Sequence, residues 1–229
     1  MKRIVQTELL DTLPVGDPRA VRSRQDLHRV NGWMRQHALM ADALKNALNG
    51  HALGHITELG AGDGNFLLRV ANRLKPELQT KPVTATLIDL QKNVSTKTLA
   101  AFAALGWRAE IVVADVFDRS KISSDVVLAN LFLHHFAAAR LTELLRLISQ
   151  HAKLFIALEP RRAVWPLFCS RLLWAIGCNA VTRHDAVISV HAGFSGTELS
   201  DLWPDKQNWR LTERCAGAFS HLFIAQKIS

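Results

Sequence analysis

The sequence contains no tyrosine and only three cysteines among its 229 residues. Cys169, Cys178 and Cys215 have unrelated spacings and form no CxxC pair, which argues for free thiols in a reducing compartment rather than a disulfide framework. Because tyrosine is absent, a side chain that removes a proton from a substrate would be a histidine or a carboxylate.

Long apolar runs are also missing. The longest apolar region, residues 163–178, is interrupted by Arg171 and is shorter than a bilayer-spanning helix requires. Near the start, Lys2 and Arg3 are followed by "IVQTELL", whose polar residues break the apolar core that a signal peptide needs. We therefore expect a cytoplasmic protein without a membrane span.

An excess of positive charge is present but dispersed. The chain has 28 Lys and Arg against 20 Asp and Glu, a formal net charge of +8, which raises the possibility of nucleic-acid binding. The basic residues cluster only near 19–29 and at Arg161–Arg162, and no basic stripe is interleaved with aromatic residues. This distribution favours an ordinary basic surface on a globular protein.

From residue 56 onward, short β-rich runs alternate with helix-like segments. Such alternation predicts βαβ units, and therefore a parallel α/β sheet with helices on both faces. Residues 11–50 have a helical pattern, and residues 1–50 are expected to form a cap or lid before the main domain, residues 51–229. We predict strands at 56–60, 83–89, 109–115, 125–130 and 154–160, helices at about 65–75, 93–105 and 138–151, and a final hairpin at 209–217 and 218–227.

The segment "ELGAGDG", residues 58–64, places a glycine-rich turn after the first predicted strand. Glycines there let the backbone approach a ligand, and the following helix offers free N–H groups. A dinucleotide fingerprint would require glycine at position 65, which is Asn65, and no P-loop lysine follows. The spacing therefore disfavours pyrophosphate ligands, while the acid Glu58 suits a ligand with an ammonium and a sulfonium.

This motif, together with four later segments in the right order, resembles the class I S-adenosylmethionine-dependent methyltransferases over roughly residues 55–160. The resemblance implies a Rossmann-like fold with a seven-stranded, mostly parallel sheet that ends in an antiparallel hairpin. It also implies S-adenosyl-L-methionine as the cofactor and methyl transfer as the activity. An insertion at about 161–208 would build the acceptor site.

The same resemblance implies a set of cofactor-binding residues. Asp89 would hold the ribose hydroxyls, Asp115 would meet the adenine amino group, and Asn130 would line the methionine end. Each has an ordinary structural alternative, since Asp89 could cap a helix, Asp115 could be a loop acid and Asn130 could satisfy nearby backbone groups. The full set is Glu58, Gly60, Ala61, Gly62, Gly64, Asp89, Leu90, Asp115, Val116, Asn130 and Leu131.

Histidines are the candidate catalytic residues, because a phenol or enol acceptor would need a general base. His134 and His135 follow the fourth predicted strand, where donor and acceptor should meet, and His135 is slightly preferred. His191 and His184 lie in the predicted acceptor region, and His191 is preferred of these two. Each of these histidines could also be a hydrogen-bonded packing residue. No metal site is expected.

The acceptor is expected to be a small molecule. The Asn/Asp-Pro-Pro-aromatic turn of adenine methylation is absent after the fourth strand, since Asn130 is followed by Leu131 and Phe132, and no cysteine lies near that strand. The segments "RSRQDLHRVNGWM", residues 22–34, and "HDAVISVHAGF", residues 184–194, are also loosely similar to bacterial methyltransferases encoded beside type III polyketide synthases. This resemblance implies O-methylation of an alkylated phenol or quinol. An RNA methyltransferase and a non-catalytic binding scaffold remain alternatives.

The apolar stripe within residues 163–178 has three interpretations. Trp165, Phe168, Leu172 and Leu173 recur at helical spacing, which is typical of a protein core or a dimer interface. The functional alternative is an apolar wall for an aromatic or alkyl-bearing substrate. The oligomeric state is accordingly left as a monomer or a homodimer.

Overall fold

The computed structural model describes residues 1–14, 16–74, 82–118 and 124–228. Its seven strands form one sheet with the order β3-β2-β1-β4-β5-β7-β6. The first five strands in that order are parallel, and β7 runs antiparallel between β5 and β6. This confirms the predicted fold. The strands are β1 (His55–Leu59), β2 (Val83–Asp89), β3 (Trp107–Val113), β4 (Val126–Asn130), β5 (Leu154–Pro160), β6 (Trp209–Ala216) and β7 (Ser220–Lys227).

Helices cover both faces of the sheet. Three precede β1, and the remaining ones lie between strands. They are α1 (Leu9–Thr12), α2 (Pro18–Trp33), α3 (Gln36–Leu48), α4 (Asn65–Leu74), α5 (Thr96–Ala104), α6 (Ala138–His151), α7 (Val164–Arg171), α8 (Ala180–Ala192) and α9 (Glu198–Leu202), with 3₁₀ helices at Leu133–His135, Leu173–Ile176 and Lys206–Asn208.

The interior strand β5 shows how the two cores arise. All seven of its residues are buried, and successive side chains point to opposite faces of the sheet. Ile156 and Leu158 join the core that α3, α4 and α5 cover. Phe155 and Ala157 join the core that α6 and α9 cover. Burial on both faces explains why the sequence of β5 is an almost continuous apolar run.

The order of strands locates a crevice at the carboxyl edge of the sheet. The chain proceeds from β1 outward through β2 to β3, and β4 then pairs with the other side of β1. Ligands of open α/β sheets bind where the strand order reverses in this way. The loops after β1, β2, β4 and β5 therefore meet at the edge where the sequence places its candidate residues.

Most element bounds agree with the predicted ones within one or two residues, and β7 begins at Ser220 instead of residue 218. Strand β3 begins at Trp107 and ends at Val113, so Asp115 follows the strand instead of ending it. Helix α5 begins at Thr96, because the side chain of Ser95 accepts the amide of Thr98 and caps it. Residue 75, the predicted end of α4, lies outside the described residues.

Residues 163–178 form α7 and the 3₁₀ helix after it, but their large side chains do not enter the core. The exposed fractions of Trp165, Phe168 and Leu172 are 58%, 52% and 41%. The interpretation of this stripe as core is therefore wrong for these side chains, because α7 turns them outward. Within the described ranges, no helix has both the length and the apolar character needed for a bilayer crossing.

Candidate active site

The glycine loop between β1 and α4 adopts a conformation that favours glycine at three positions. The φ angles of Gly60, Gly62 and Gly64 are +67°, +55° and +72°. The amide of Ala61 donates to the carbonyl of Ile88 at 3.0 Å, which ties the loop to the end of β2. Positive φ at alternate residues folds the backbone into a tight turn that side chains with a Cβ adopt only with strain.

The three glycines differ in what surrounds them. A Cβ at Gly60 would lie 2.3 Å from the ring of Phe132, so this glycine is needed for packing against a protein side chain. A Cβ at Gly64 would approach Leu87 at 3.0 Å. Around Gly62 a Cβ would meet no heavy atom of the described residues within 4 Å. Open space for a ligand is therefore found at Gly62, and the Phe132 ring covers Gly60.

Asp89, at the end of β2, faces this loop. Its Oδ2 accepts the amide of Gly62 at 2.9 Å, and its Oδ1 accepts the amide of Gln91 at 2.9 Å. A carboxylate has about four acceptor positions, so further hydrogen bonds to a ligand can be made. Leu90, the next residue, is 72% exposed. The structure thus joins two of the predicted cofactor-binding residues, Gly62 and Asp89, by a direct hydrogen bond.

Two buried polar atoms at this edge have no hydrogen-bond partner within the described part of the chain. They are Oε2 of Glu58, at the end of β1, and Oδ1 of Asn130, at the end of β4. Burial, and next the nearby carboxylate of Asp63, raise the pKa of Glu58 well above its ordinary value. An unpaired buried acceptor is costly, so both atoms suit a ligand that brings hydrogen-bond donors or a cation.

The remaining predicted cofactor-binding residues follow strands β3 and β4. Asp115 is exposed, and its Oδ1 accepts the amide of Phe117 at 3.0 Å in a local turn. Val116 is buried in the core under α6. Leu131 has a φ of +51°, a left-handed conformation that is uncommon for leucine, and its amide donates to the carbonyl of Leu158 at 2.9 Å.

His134 is a buried histidine held between two carboxylates. Its Nδ1 lies 2.8 Å from Oε2 of Glu159, and its Nε2 lies 3.3 Å from Oε1 of Glu8. Burial by itself would lower the pKa of His134. The hydrogen bonds to Glu159 and Glu8 outweigh that effect and raise the pKa to about 9.

Glu159 is a fixed anion at the end of β5. Its Oε1 accepts the amides of Phe132 and Leu133 at 3.0 and 2.9 Å, in addition to the contact of its Oε2 with His134. These bonds tie the turn after β4 to β5. The carboxylate is fully buried, and its hydrogen bonds to the turn offset the cost of burying that charge.

Glu8 reaches His134 from the N-terminal segment, residues 3–10. The hydroxyl of Ser189 on α8 donates to Glu8. The guanidinium of Arg3 donates to the carbonyl of Phe136 at 3.0 Å and to that of Ala192 at 2.7 Å. The segment therefore bridges α8 and the turn after β4, and it closes one side of the space around His134.

The other candidate histidines have different surroundings. The ring centroid of His135 lies 4.2 Å from that of His134, and its Nδ1 forms an ion pair with Asp11 at 3.4 Å. His191 lies in the last turn of α8, where its carbonyl accepts the amide of Ile4 at 3.1 Å. His184 is half-exposed and pairs with Asp185. His134 is the candidate whose two ring nitrogens both have carboxylate partners.

A row of aromatic rings includes Phe132 and Phe136, which precede and follow His134 in the chain. The ring of Phe132 contacts that of Phe136 edge-on, with centroids 5.1 Å apart, and Phe136 contacts Phe117 at 5.6 Å. The guanidinium of Arg140 lies 3.4 Å from the centre of the Phe117 ring. The row runs from Phe132, whose ring packs over Gly60, to Arg140 on α6, and its three rings are partly buried against the core.

Two residues of this arrangement were missed from the sequence. Glu159 carried a signal, because a carboxylate at the end of a strand with an otherwise apolar run requires a buried partner. Glu8 carried none, since it precedes His134 by 126 residues and the contact depends on the path of the N-terminal segment.

Comparison with known proteins gives one family and a set of structural neighbours. Residues 57–153 match a family model described as a methyltransferase domain. No curated protein matches the sequence significantly. An O-methyltransferase family protein from Burkholderia thailandensis is 22% identical, with a TM-score of 0.63 over 94% of this chain and 61% of that chain.

Two further solved structures have the same fold. Mitomycin 7-O-methyltransferase is 19% identical, with a TM-score of 0.60 over 96% of this chain and 61% of its own. The N,N-8-amino-8-demethyl-D-riboflavin dimethyltransferase of Streptomyces davawensis is 17% identical, with a TM-score of 0.60 over 97% and 62%. The chain thus spans less than two thirds of the length of these three neighbours.

Proposed function

We propose that this chain, whose residues 57–153 match a methyltransferase-domain family model, is a class I S-adenosylmethionine-dependent methyltransferase that transfers a methyl group to an oxygen atom of a small aromatic acceptor. The observation that carries this proposal is the position of His134, buried between two carboxylates at the same sheet edge as the glycine loop. The family match and the fold support the cofactor and the reaction type. The acceptor and the roles of the residues belong to the proposal.

The residues around the glycine loop fit the cofactor. The unpartnered oxygens of Glu58 and Asn130 would hold its ammonium end, and Asp89 would accept its ribose hydroxyls as charge-assisted hydrogen bonds. Asp115 would meet the adenine amino group, with Val116 and the open space at Gly62 beside it. When bound, S-adenosylmethionine supplies an electrophilic methyl group on a sulfonium.

His134 is proposed as the general base. Glu159 accepts the proton on Nδ1. With a pKa of about 9, Nε2 is also protonated at neutral pH while Glu8 faces it, so the lone pair of Nε2 becomes available when that contact is displaced or the pH rises. A hydroxyl placed at Nε2 would lose its proton to the ring, and the resulting imidazolium would be stabilised by Glu159. Since Nε2 faces Glu8 in this structure, the acceptor hydroxyl must replace that contact.

The surroundings of His134 favour an aromatic hydroxyl over an aliphatic alcohol. Phe132 and Phe136 offer ring faces and edges against which a planar acceptor can stack. A phenol or quinol also loses its proton far more readily than an alcohol, which suits a histidine base. An alkylated phenol or quinol is therefore the proposed acceptor class.

Cofactor binding can be tested by calorimetry with S-adenosylhomocysteine. We expect binding by the native chain and a loss of about tenfold or more for Asp89→Ala, because the ribose hydroxyls lose a charged acceptor. Asp42→Ala, at an exposed position on α3, is the matched control and should bind like the native chain. Absence of binding by the native chain, or equal binding by Asp89→Ala, would contradict the cofactor site.

Transfer itself can be tested with methyl-labelled cofactor and a panel of phenols, quinols, aliphatic alcohols and amines. The expected result is label on the oxygen of a phenol or quinol, lost by about 10²-fold or more in His134→Gln. His151→Gln, at the exposed end of α6, should transfer normally. Transfer to an amine, or full activity of His134→Gln, would refute O-methylation by this base.

A further inference from the structure

Five large apolar side chains of α7 and the 3₁₀ helix after it are exposed. We call them the α7 patch. Surface residues of this kind usually occur singly, and a contiguous group of them marks an interaction surface. The exposed fractions are 75% for Val164, 58% for Trp165, 52% for Phe168, 41% for Leu172 and 61% for Trp174.

The spacing of these residues makes the patch continuous. Trp165, Phe168 and Leu172 follow one another at three and four residues, so they lie on one face of the helix. The rings of Trp165 and Phe168 stack with centroids 5.9 Å apart. The patch is therefore a preformed aromatic surface, and docking needs little reordering of its side chains.

The stretch of sequence that contains the patch carries charge of a single sign. Residues 160–184 contain no aspartate or glutamate and four arginines. One of these, Arg162, is buried and paired with Glu198. Arg171 and Arg183 are exposed, and Arg171 ends α7 between Phe168 and Trp174. An aromatic surface with a cationic rim is complementary to an anionic one.

We propose that the α7 patch docks the protein on the surface of an anionic phospholipid bilayer. Tryptophan prefers the boundary between headgroups and acyl chains, and arginine pairs with lipid phosphates there. A second copy of the chain fits less well. Two chains of net charge +8 would bring like-charged rims together, whereas an anionic bilayer attracts them.

The proposal does not depend on the acceptor or on catalysis, and vesicle sedimentation tests it directly. We expect binding to vesicles of phosphatidylcholine with about 30% phosphatidylglycerol, and little binding to phosphatidylcholine alone. The double variant Trp165→Ser/Trp174→Ser should bind about tenfold more weakly or worse. Arg171→Gln should bind about fivefold more weakly, with a smaller dependence on salt.

Trp33→Ser is the matched control, because Trp33 is 64% exposed but lies at the end of α2, outside the patch. It should bind vesicles like the native chain. Thermal unfolding of each variant shows whether it remains folded. Equal binding to neutral and anionic vesicles, or unchanged binding by the double variant, would overturn the proposal. So would a concentration-dependent dimer that the double variant abolishes while the native chain ignores vesicles.

Discussion

Nδ1 of His134 lies 2.8 Å from Oε2 of Glu159, and the other oxygen of the same carboxylate receives the amides of Phe132 and Leu133. One carboxylate therefore sets both the shape of the turn after β4 and the charge on the histidine. Changes at position 159 should affect stability and activity together, and their ratio can separate the two roles.

Glu159→Gln keeps the shape of the side chain but removes the charge that stabilises the imidazolium. We expect the free energy of unfolding to fall by about 1–3 kcal/mol, because charge-assisted hydrogen bonds to buried groups are lost. The methyl-transfer rate should fall by about tenfold or more. Urea unfolding and single-turnover transfer measure the two effects. Glu143→Gln, at a partly exposed position on α6, is the control and should change neither the stability nor the transfer rate. Normal transfer by Glu159→Gln would show that the charge of Glu159 does not support His134 as the base.

The raised pKa of His134 predicts how stability depends on pH. The pKa is about 9 in the folded chain and 6.5 ordinarily. The folded state therefore binds the proton more tightly, and this stabilisation is complete below about pH 6.5 and is lost as the pH rises through about 9. Urea midpoints across that interval should decline for the native chain. The decline should be smaller for His134→Gln. An equal decline in the native chain and in His134→Gln would show that other titratable groups cause the pH dependence.

Glu8→Gln tests the contact on the other side of the ring. Removing this anion should lower the pKa of His134, because one of its two carboxylate partners is lost. More of the histidine is then neutral near pH 8. The acidic limb of the profile of kcat/KM against pH should therefore move to lower pH in Glu8→Gln and stay in place in the control Glu143→Gln. An unmoved limb would show that Glu8 does not set the titration of the base.

Variants at Gly60 and Gly62 distinguish two roles of glycine in this loop. Gly60 makes room for a protein side chain, and Gly62 is proposed to make room for the cofactor. Gly60→Ala adds a Cβ 2.3 Å from the Phe132 ring at a φ of +67°, and should cost about 2–4 kcal/mol of folding stability. Gly62→Ala meets open space at a φ of +55° and should cost only about 1 kcal/mol. Calorimetry should nevertheless show weaker cofactor binding by Gly62→Ala. The addition of Phe132→Ala should partly restore the stability of Gly60→Ala, and no recovery would mean that strain alone is responsible.

Much of the fold was predictable because local patterns and tertiary structure agree. The apolar run of β5 and the stripe of α6 have the bounds that the sequence predicts, Leu154–Pro160 and Ala138–His151. The glycine loop was recognisable because positive φ at alternate positions restricts the residues that can occupy them. His134 is also among the predicted candidates, with His135 slightly preferred.

The rest could not be predicted because it depends on contacts between distant residues. Periodicity places Trp165 and Phe168 on one face of α7, but it does not say whether that face turns inward. The ring of Phe132 over Gly60 depends on the left-handed conformation of Leu131, which a sequence pattern does not reveal. The distinction between His134 and His135 depends on which ring meets Glu159.

Asp185 on α8 accepts the amides of Leu9 and Leu10 at 2.8 and 2.9 Å, across about three quarters of the chain. Contacts of such long range form late during refolding, since the loop they close must first be ordered. The sheet would therefore regain its hydrogen-exchange protection before the environment of His134 is rebuilt. We therefore expect native secondary structure to return during refolding before His134 regains its second carboxylate, Glu8.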